Sequence, residues 1–445
     1  METRQNHQMG TIPGPLGWPL IGNLPQLLPN PLPSLKRWHT KYGNIFYAGF
    51  AFNQRSVFLL SPDATERALI DADGSFSSKL GYAGLSNFIG EGAVLFRDGD
   101  DHRKVRRSMN HAFKPAVLTR YFEAMNTRIG DEIARWSDKG APDDVAEDVR
   151  LLSLEIATEV IAGARLNCDS EFISQHFVNM LDAMTSPIPA IPGTARWTGL
   201  RSRSRLDQFF RAQIQERRGS EANDLFSAIC RNASGVDLDD DAITDNMLGI
   251  LVASYETTSS AIAMMIYELA RNREWQGRVR REILEKCGSE SSVSRSELDQ
   301  LDETTWVFNE TLRLHPPLSY FPRRTTEPVE IEGHVVPSNT NVTIAPAFVH
   351  QLGSLYPDPE RFDPNRFSPE RAEDKSHTCA FIPFGKGSHT CIGMHFARME
   401  ALNFFVHLLP RFQIESASTK PLQMNYVPVL RPKGPMPVRL VPISL

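Results

Sequence analysis

Two periods run through the hydrophobic positions of this chain, and together they predict a mainly helical protein with a minor β-sheet region. From Asp241 to about Arg271 the sequence is apolar on nearly all sides, as a helix buried around its whole circumference would be. Phe396, Met399, Leu402, Val406 and Leu409 recur every three or four residues and mark a second apolar helix. Helical patterns also open at Gly99, cover Glu310-Thr-Leu-Arg313, and run from Val145 to Glu216 with an interruption at Pro187-Ile-Pro-Ala-Ile-Pro192. Alternation of period two appears in Ile45-Phe-Tyr-Ala-Gly-Phe and Ser56-Val-Phe-Leu-Leu, as expected of a small sheet. Proline and glycine punctuate an extended lead-in up to about Asn30. The stretch from Ser75 to Phe96, rich in Gly, Ser and aromatics, has no clear period.

Two places interrupt these patterns with chemistry. Ala253-Ser-Tyr-Glu256-Thr257-Thr258-Ser-Ser260 puts hydroxyls and a carboxylate in the middle of the long apolar helix, where each needs a partner or costs free energy. Ser and Thr there can bond the carbonyl four residues back and bend the helix, so a satisfied polar notch in a core helix is the plain alternative to a site. The second place is Phe384-Gly-Lys-Gly-Ser-His-Thr-Cys391-Ile-Gly393. Its glycines permit positive φ and a close approach to the main chain. The helix that follows puts Cys391 at a helix N-terminus, where unpaired N–H groups and the dipole favour the thiolate that ligates metal or attacks. On cysteine content alone an inert buried thiol outweighs a ligand; the flanking glycines and His389 reverse that order. Zinc fails for lack of ligands, since Cys379 and His377 lie upstream without paired C-x-x-C or H-x-x-x-H spacing.

Composition narrows the setting. The chain has 445 residues, 41% hydrophobic and 23% charged, which is ordinary globular composition with length for a large core. Neither a Gly/Ser linker nor a repeat nor a low-complexity block divides it. The formal net charge of -5 argues against nucleic acid as a general partner. Five scattered cysteines, Cys168, Cys230, Cys287, Cys379 and Cys391, point to a reducing compartment rather than a disulfide framework. The polar opening Met-Glu-Thr-Arg-Gln-Asn-His-Gln has no apolar run to serve as signal or anchor, so a soluble, cytoplasmic monomer with no membrane anchor is expected.

Phe-x-x-Gly-x-His-x-Cys-x-Gly, filled by Phe384, Gly387, His389, Cys391 and Gly393, closely resembles the haem-ligand loop of the cytochrome P-450 family. The resemblance implies a cytochrome P-450-like single large domain over 13–445 behind a disordered lead at 1–12, binding b-type haem (heme b, iron protoporphyrin IX). Cys391 would be the axial thiolate, which pushes electron density onto the iron and favours O–O cleavage. Phe384 would pack against the sulfur side of the ring, and His389 would reach a propionate. N–H groups around the sulfur, up to Gly393, would tune its potential. A His followed four residues later by Arg is the family's propionate pair in its soluble bacterial members. His102 and Arg106 fit it and share one helix face, whereas the run around them would otherwise read as a solvated face. Arg323, ten residues before Gly333, matches the family's other propionate arginine better than Arg324 does. Glu310 and Arg313 resemble the Glu-x-x-Arg helix. With Arg361 of the Pro-Glu-Arg-Phe turn they would form a structural network, where the residues alone suggest a surface ion pair of small value.

The polar notch resembles the family's oxygen-binding groove, Ala-Gly-x-(Asp/Glu)-Thr, with Glu256 and Thr257 as proton-delivering residues and Ser254 where the family usually has Gly or Ala. The stretch from Ser75 to Phe96 corresponds to the roof of the substrate site. The interruption at 187–192 corresponds either to a mobile lid or to a plain helix connection. By position Phe88, Leu251, Ser254, Leu318, Tyr320 and Val427 are candidates to line the site, making it apolar with some hydroxyls. The implied function is oxidation of an apolar small molecule by O2, through hydroxylation, epoxidation or oxidative ring-forming coupling in secondary metabolism. The chain has no glycine-rich dinucleotide fingerprint, so NAD(P)H electrons would arrive through a ferredoxin or flavodoxin and its reductase. A peroxide-using haem-thiolate enzyme and a non-catalytic haem-binding sensor are the alternatives, and an intact acid–alcohol pair argues against both.

Overall fold

The computed structural model describes residues 12–443 apart from 51–53, 111–112, 114, 161–162, 164–167, 185, 187–188, 221–223, 232–234 and 289–292. They form two compact units. One is built from the chain up to Tyr82 with Trp306–Cys391 and Lys420–Gly434, the other from Ala83–Thr305, Ile392–Thr419 and Pro435–Leu445.

The first unit holds the larger sheet. Its strands are β1 (Ile45–Gly49), β2 (Arg55–Leu59), β3 (Phe76–Ser77) and β4 (Phe321–Thr325), followed by the hairpin of β5 (Val329–Ile331) and β6 (His334–Val336) and then β7 (Asn341–Ile344). The sheet order is β1-β2-β7-β4-β3, antiparallel except for β2 and β7, which run parallel with Ser56 opposite Asn341. Alternation sorts the apolar residues onto two faces. Ile45, Val57, Leu59, Val342 and Ile344 pack on one face, where Ile12 is also buried, and Phe46, Ala48 and Phe58 pack with Trp38 on the other. The rest of the expected lead, 1–11, lies outside the described residues. Helix Pro62–Ile70 starts where the Ser61 hydroxyl accepts from the Ala64 N–H, with Pro62 at the first helical position. It covers the first face with Ala64, Ala68 and Leu69.

The second unit is helical. Its main elements are Gly99–Asn110, Pro115–Lys139, Val145–Val160, Cys168–Met184, Ala195–Arg218, Asp240–Arg271, Arg273–Cys287 and Met394–Leu408, with a small antiparallel sheet of Phe412–Ser416 and Val438–Pro442. Asp240–Arg271 starts on an Asp239 carboxylate that accepts from the Ala242 N–H. Among the described residues it is the one helix long and apolar enough to cross a membrane, and 67% of that window is buried inside the protein, as in a core helix. Met247, Leu248, Leu251 and Tyr255 on it cluster with Phe177, Phe210 and Phe226. Of the expected interruption, Pro187 and Ile188 lie outside the described residues, and the chain from Pro189 to Pro192 is irregular before the Thr194 cap of Ala195–Arg218. The helices Pro115–Lys139 and Arg273–Cys287 have no counterpart in the patterns read from the sequence.

Met394–Leu408 carries a carboxyl that those patterns also passed over. Glu400 is buried and accepts a hydrogen bond from Ser153 Oγ on Val145–Val160 at 2.7 Å. Burial pushes its pKa up to about 8, against the pull of that bond. Between the ordinary carboxylate value and about 8 the folded state therefore binds more protons than the unfolded chain. The contribution to stability is full below that window and is lost as pH rises through it. We expect the melting temperature to fall from about pH 5 to about pH 8, with a stability slope of up to roughly 1.4 kcal/mol per pH unit from this group. Thermal melts of Glu400→Gln across the same range should show most of that slope removed.

Candidate functional site

Cys391 closes a loop whose backbone restricts its residues. Gly387 has φ +71, and a Cβ there would lie 2.1 Å from the Leu69 carbonyl oxygen, so only glycine lets the loop settle on the end of helix Pro62–Ile70. The Cys391 N–H donates to the Phe384 carbonyl at 2.9 Å, and Gly387–His389 makes one 3-10 turn between them. The thiol is exposed, with Phe384 and His389 half-buried beside it in sequence. The following helix begins at Met394 with Gly393 as its N-cap, which places Cys391 two residues ahead of the cap. This corrects the expected helix-terminal position, because a turn at Ile392 and Gly393 separates the sulfur from the first helical residue. The upstream residues weighed for zinc are otherwise engaged. His377 pairs with Asp63 at 3.1 Å and Glu66 at 3.4 Å, and burial pushes the Cys379 thiol up to about 12.

From this loop a chain of buried bonds leads inward through the first unit. The Ile382 N–H donates to His350 Nε2 at 2.9 Å, so the ring proton sits on Nδ1 and donates to the Arg313 carbonyl at 3.2 Å. Burial, helped by the charge of Arg313, lowers the His350 pKa to about 3 and keeps that tautomer neutral. Arg313 grips Glu310 through two bonds of 2.6 and 2.8 Å. Its remaining N–H groups reach the carbonyls of His350 at 2.8 Å, Pro359 at 2.7 Å and Arg361 at 3.2 Å. Arg361 thus contributes a carbonyl, and its side chain is exposed, against the expectation that its guanidinium completes the network. The second guanidinium belongs to Arg366, which is 1% exposed and lies 3.4 Å from Glu310 while bonding Glu373 at 2.8 Å. Pro-Glu-Arg361-Phe and Pro-Asn-Arg366-Phe look alike in sequence, and only burial tells them apart. On β4, Arg323 is buried, donates to the Pro322 carbonyl at 2.9 Å and bonds the Tyr82 hydroxyl. Arg324 points to the other face and bonds Asn341.

In the second unit the polar notch is satisfied from within its own helix. Thr257 Oγ1 donates to the Ala253 carbonyl at 2.5 Å, and Ser254 Oγ donates to the Leu251 carbonyl at 3.3 Å. The lone pairs of Thr257 stay available to accept, while donation elsewhere requires the Ala253 bond to break. Glu256 turns to a different side and meets Arg150 of Val145–Val160 at 3.4 Å; Glu147 holds the same guanidinium at 2.6 Å. No local spacing announces Arg150, because 106 residues separate it from Glu256. His102 is buried and Arg106 half-buried, one turn apart on Gly99–Asn110. Of the residues expected to line a substrate site, Phe88 and Leu251 are buried in this unit's core and Ser254 is half-buried. In the first unit, Leu318 packs on the sheet, Val427 is exposed, and Tyr320 is a correction: its ring packs edge-on against Phe58 at 6.0 Å, as part of the sheet's core.

The family model described as Cytochrome P450 matches residues 12–439. The chain belongs to the cytochrome P450 family. Cytochrome P450 136 of Mycobacterium tuberculosis is 30% identical over 442 residues, covering 95% of this chain and 89% of that protein. Taxane 10-beta-hydroxylase of Taxus cuspidata is 27% identical over 462 residues, covering 99% and 91%. The solved structure of retinoic acid bound cyanobacterial CYP120A1 aligns with a TM-score of 0.86 over 97% of this chain and 99% of that one, at 24% identity, which shows a shared fold. This P450 is accordingly an oxidoreductase of the monooxygenase class with a haem-iron cofactor, served by O2 and a redox partner and acting on apolar substrates.

The residues present fit haem, each unit taken by itself. The first supplies one exposed soft thiol and the buried cation of Arg323; the second supplies His102 and Arg106, suited to carboxylates. Among the described residues no three His, Cys, Asp or Glu side chains gather as a metal site, so an iron held by Cys391 would have to bring its other ligands with it, as a macrocycle does. The buried network sets a direct contrast between the two arginines. Arg366→Ala should cost about 3–5 kcal/mol by uncovering part of a buried charge, and Arg361→Ala no more than about 0.5 kcal/mol. Urea unfolding of the two variants side by side measures the difference.

Proposed function

We propose that this P450 hydroxylates an apolar small organic molecule, terpenoids being the first class to test, with b-type haem held by Cys391. The supporting observation is an exposed thiol on a loop that tolerates only glycine at position 387. The taxane hydroxylase relative supports both the reaction and the substrate class. The balance takes a C–H bond, O2, NAD(P)H and a proton to an alcohol, water and NAD(P)+. The two electrons come from a separate ferredoxin or flavodoxin with its reductase. We place the protein in the cytoplasm as a monomer, serving secondary metabolism through one domain over 13–445.

When bound, the thiolate-ligated haem supplies O–O cleavage and transfer of one oxygen atom. Phe384 would shield the sulfur and Gly393 would leave the main chain beyond it open; Arg323 and His389 of the first unit, and His102 and Arg106 of the second taken by itself, would suit the propionate carboxylates. Thr257, its own proton committed to Ala253, accepts from a water and orients it. Glu256 supplies protons after leaving Arg150. At 3.4 Å that contact is long for an ion pair, and Glu147 still holds Arg150 when Glu256 leaves. Positioned proton transfer of this kind is typically worth about 10²–10⁴-fold in rate. An acidic partner would dock where Lys104 and Arg107 are exposed on Gly99–Asn110; Arg103 beside them is engaged by Asp100.

Three measurements test this reading. Reduced protein with carbon monoxide should absorb where thiolate-ligated haem does, and Cys391→Ala should lose that band; a band retained in full would sink the ligand assignment. Thr257→Ala should keep haem and substrate binding while most of the NAD(P)H consumed appears as hydrogen peroxide. A peroxygenase or a sensor would show no such diversion. Charge reversal at Lys104 or Arg107 should slow reduction by the partner, with the effect fading at high salt as screening shortens to about 3 Å near 1 M. Reduction rates unaffected by either change would rule the patch out.

A further inference from the structure

In the second unit, the segment carrying Phe88, the helix carrying Thr257 and the helix that follows the 187–192 interruption meet at one carboxylate. Asp245 is 7% exposed. It accepts from the Gly92 N–H at 2.9 Å and from Arg203 Nη2 of Ala195–Arg218 at 2.7 Å. Its neighbour Asn246 accepts from the Val94 N–H at 2.9 Å and donates to the Gly92 carbonyl at 3.2 Å. The backbone lies so close that a Cβ at Gly90 would fall 1.9 Å from Asp245 Oδ1, and one at Gly92 would fall 2.8 Å from the Ala242 Cα. One turn further along the helix, a Cβ on Gly249 would meet Ile89 at 3.2 Å and Ala93 at 3.6 Å. Positions 245, 249 and 253 share a helix face, and Ala253 carries the carbonyl that holds Thr257. At its other end the segment is covered by Arg196, whose guanidinium lies 5.4 Å from the centroid of the Phe88 ring.

We propose that Asp245 is a positioning residue, a latch that fixes segment 86–96 and helix Ala195–Arg218 to the Asp240–Arg271 helix and so sets how readily bulky apolar molecules enter and leave. The inference rests on the monooxygenase reading for what those molecules are. A buried carboxylate whose two donors come from two different elements is destabilised when either donor withdraws. The loop and the helix therefore hold or release together. Glycine at 90 and 92 gives the carboxylate its seat, and the absence of a side chain at Gly249 lets Ile89 and Ala93 settle close to the face that leads to Thr257.

The holoenzyme tests this with Asp245→Asn, which keeps the shape but drops the charge pair, and with Arg203→Met, which removes the half-exposed donor together with its 3.4 Å pair to Asp207 on the same helix. Hydrogen exchange read by mass spectrometry should rise about tenfold across 86–96 in each variant, as loss of a hydrogen bond to a charged group implies. Association and dissociation of a bulky triaryl imidazole should both quicken by a similar factor, while binding of imidazole itself stays as in wild type. If Arg203→Met leaves both the exchange and the bulky-azole rates unchanged, the latch does not exist, whether or not Asp245→Asn folds. Absence of the thiolate band in the wild type would instead overturn the monooxygenase reading, and exchange across 86–96 would still decide the latch.

Discussion

The pairing of Glu310 with Arg313 is the constraint on which the thiol loop depends. Both side chains are fully buried, and taking two charges out of water costs several kcal/mol for each ion unless geometry and further bonds offset it. Here every remaining valence is used: the Asp363 N–H donates to Glu310 at 2.8 Å, and Arg313 ties down three carbonyls besides. The consequence is mechanical. Four backbone segments, at 313, 350, 359–361 and 363, are locked to one another, and His350 carries that rigidity to Ile382, two residues before Phe384. The loop that presents Cys391 is thus held from both sides, by the buried network through Ile382 and by the Leu69 carbonyl at Gly387.

The long Asp240–Arg271 helix solves a different problem with local means. Hydroxyls inside an apolar helix are tolerated when each bonds a carbonyl one turn back, and Ser254, Thr257 and Ser259 all do so. Such bonds satisfy the donor but leave the acceptor side open, which suits a hydroxyl that orients water. Glu256 lacks that local option and reaches instead for Arg150, a guanidinium already held by Glu147. The two arrangements differ in strength. The Glu310 pair is rigid because it is dry and fully bonded, and the Glu256 pair is loose because it is long and partly wet.

Much of this was legible in the residues. Strands β1 and β2, the long core helix and the irregular stretch at Pro189–Pro192 follow from period and from proline, because those signals act within a few residues of where they stand. The glycine loop around Cys391 was equally readable, since a backbone on which an added Cβ would fall 2.1 Å from a carbonyl oxygen admits no side chain. The choice between Arg361 and Arg366 was not, for both follow the same local pattern and only one is carried inward. Helix Pro115–Lys139 does carry a helical period, in Leu118, Tyr121, Phe122, Met125, Ile129, Ile133 and Trp136, all buried, and was passed over, whereas no local signal marks the buried acid Glu400.

The sequence by itself determined the strands β1 and β2, the long core helix with its apolar circumference, and which cysteine is built to be presented. Tertiary structure alone decided the pairings: Arg150 with Glu256, Ser153 with Glu400, Arg366 with Glu310, and Tyr320 with Phe58. The physical reason is range. Propensity, periodicity and glycine sterics are properties of neighbouring residues, whereas the Ser153 and Glu400 side chains stand 247 residues apart and meet only because two helices pack face to face. A buried polar group takes whatever partner that packing brings within reach of a hydrogen bond, and the chain's local order does not encode it.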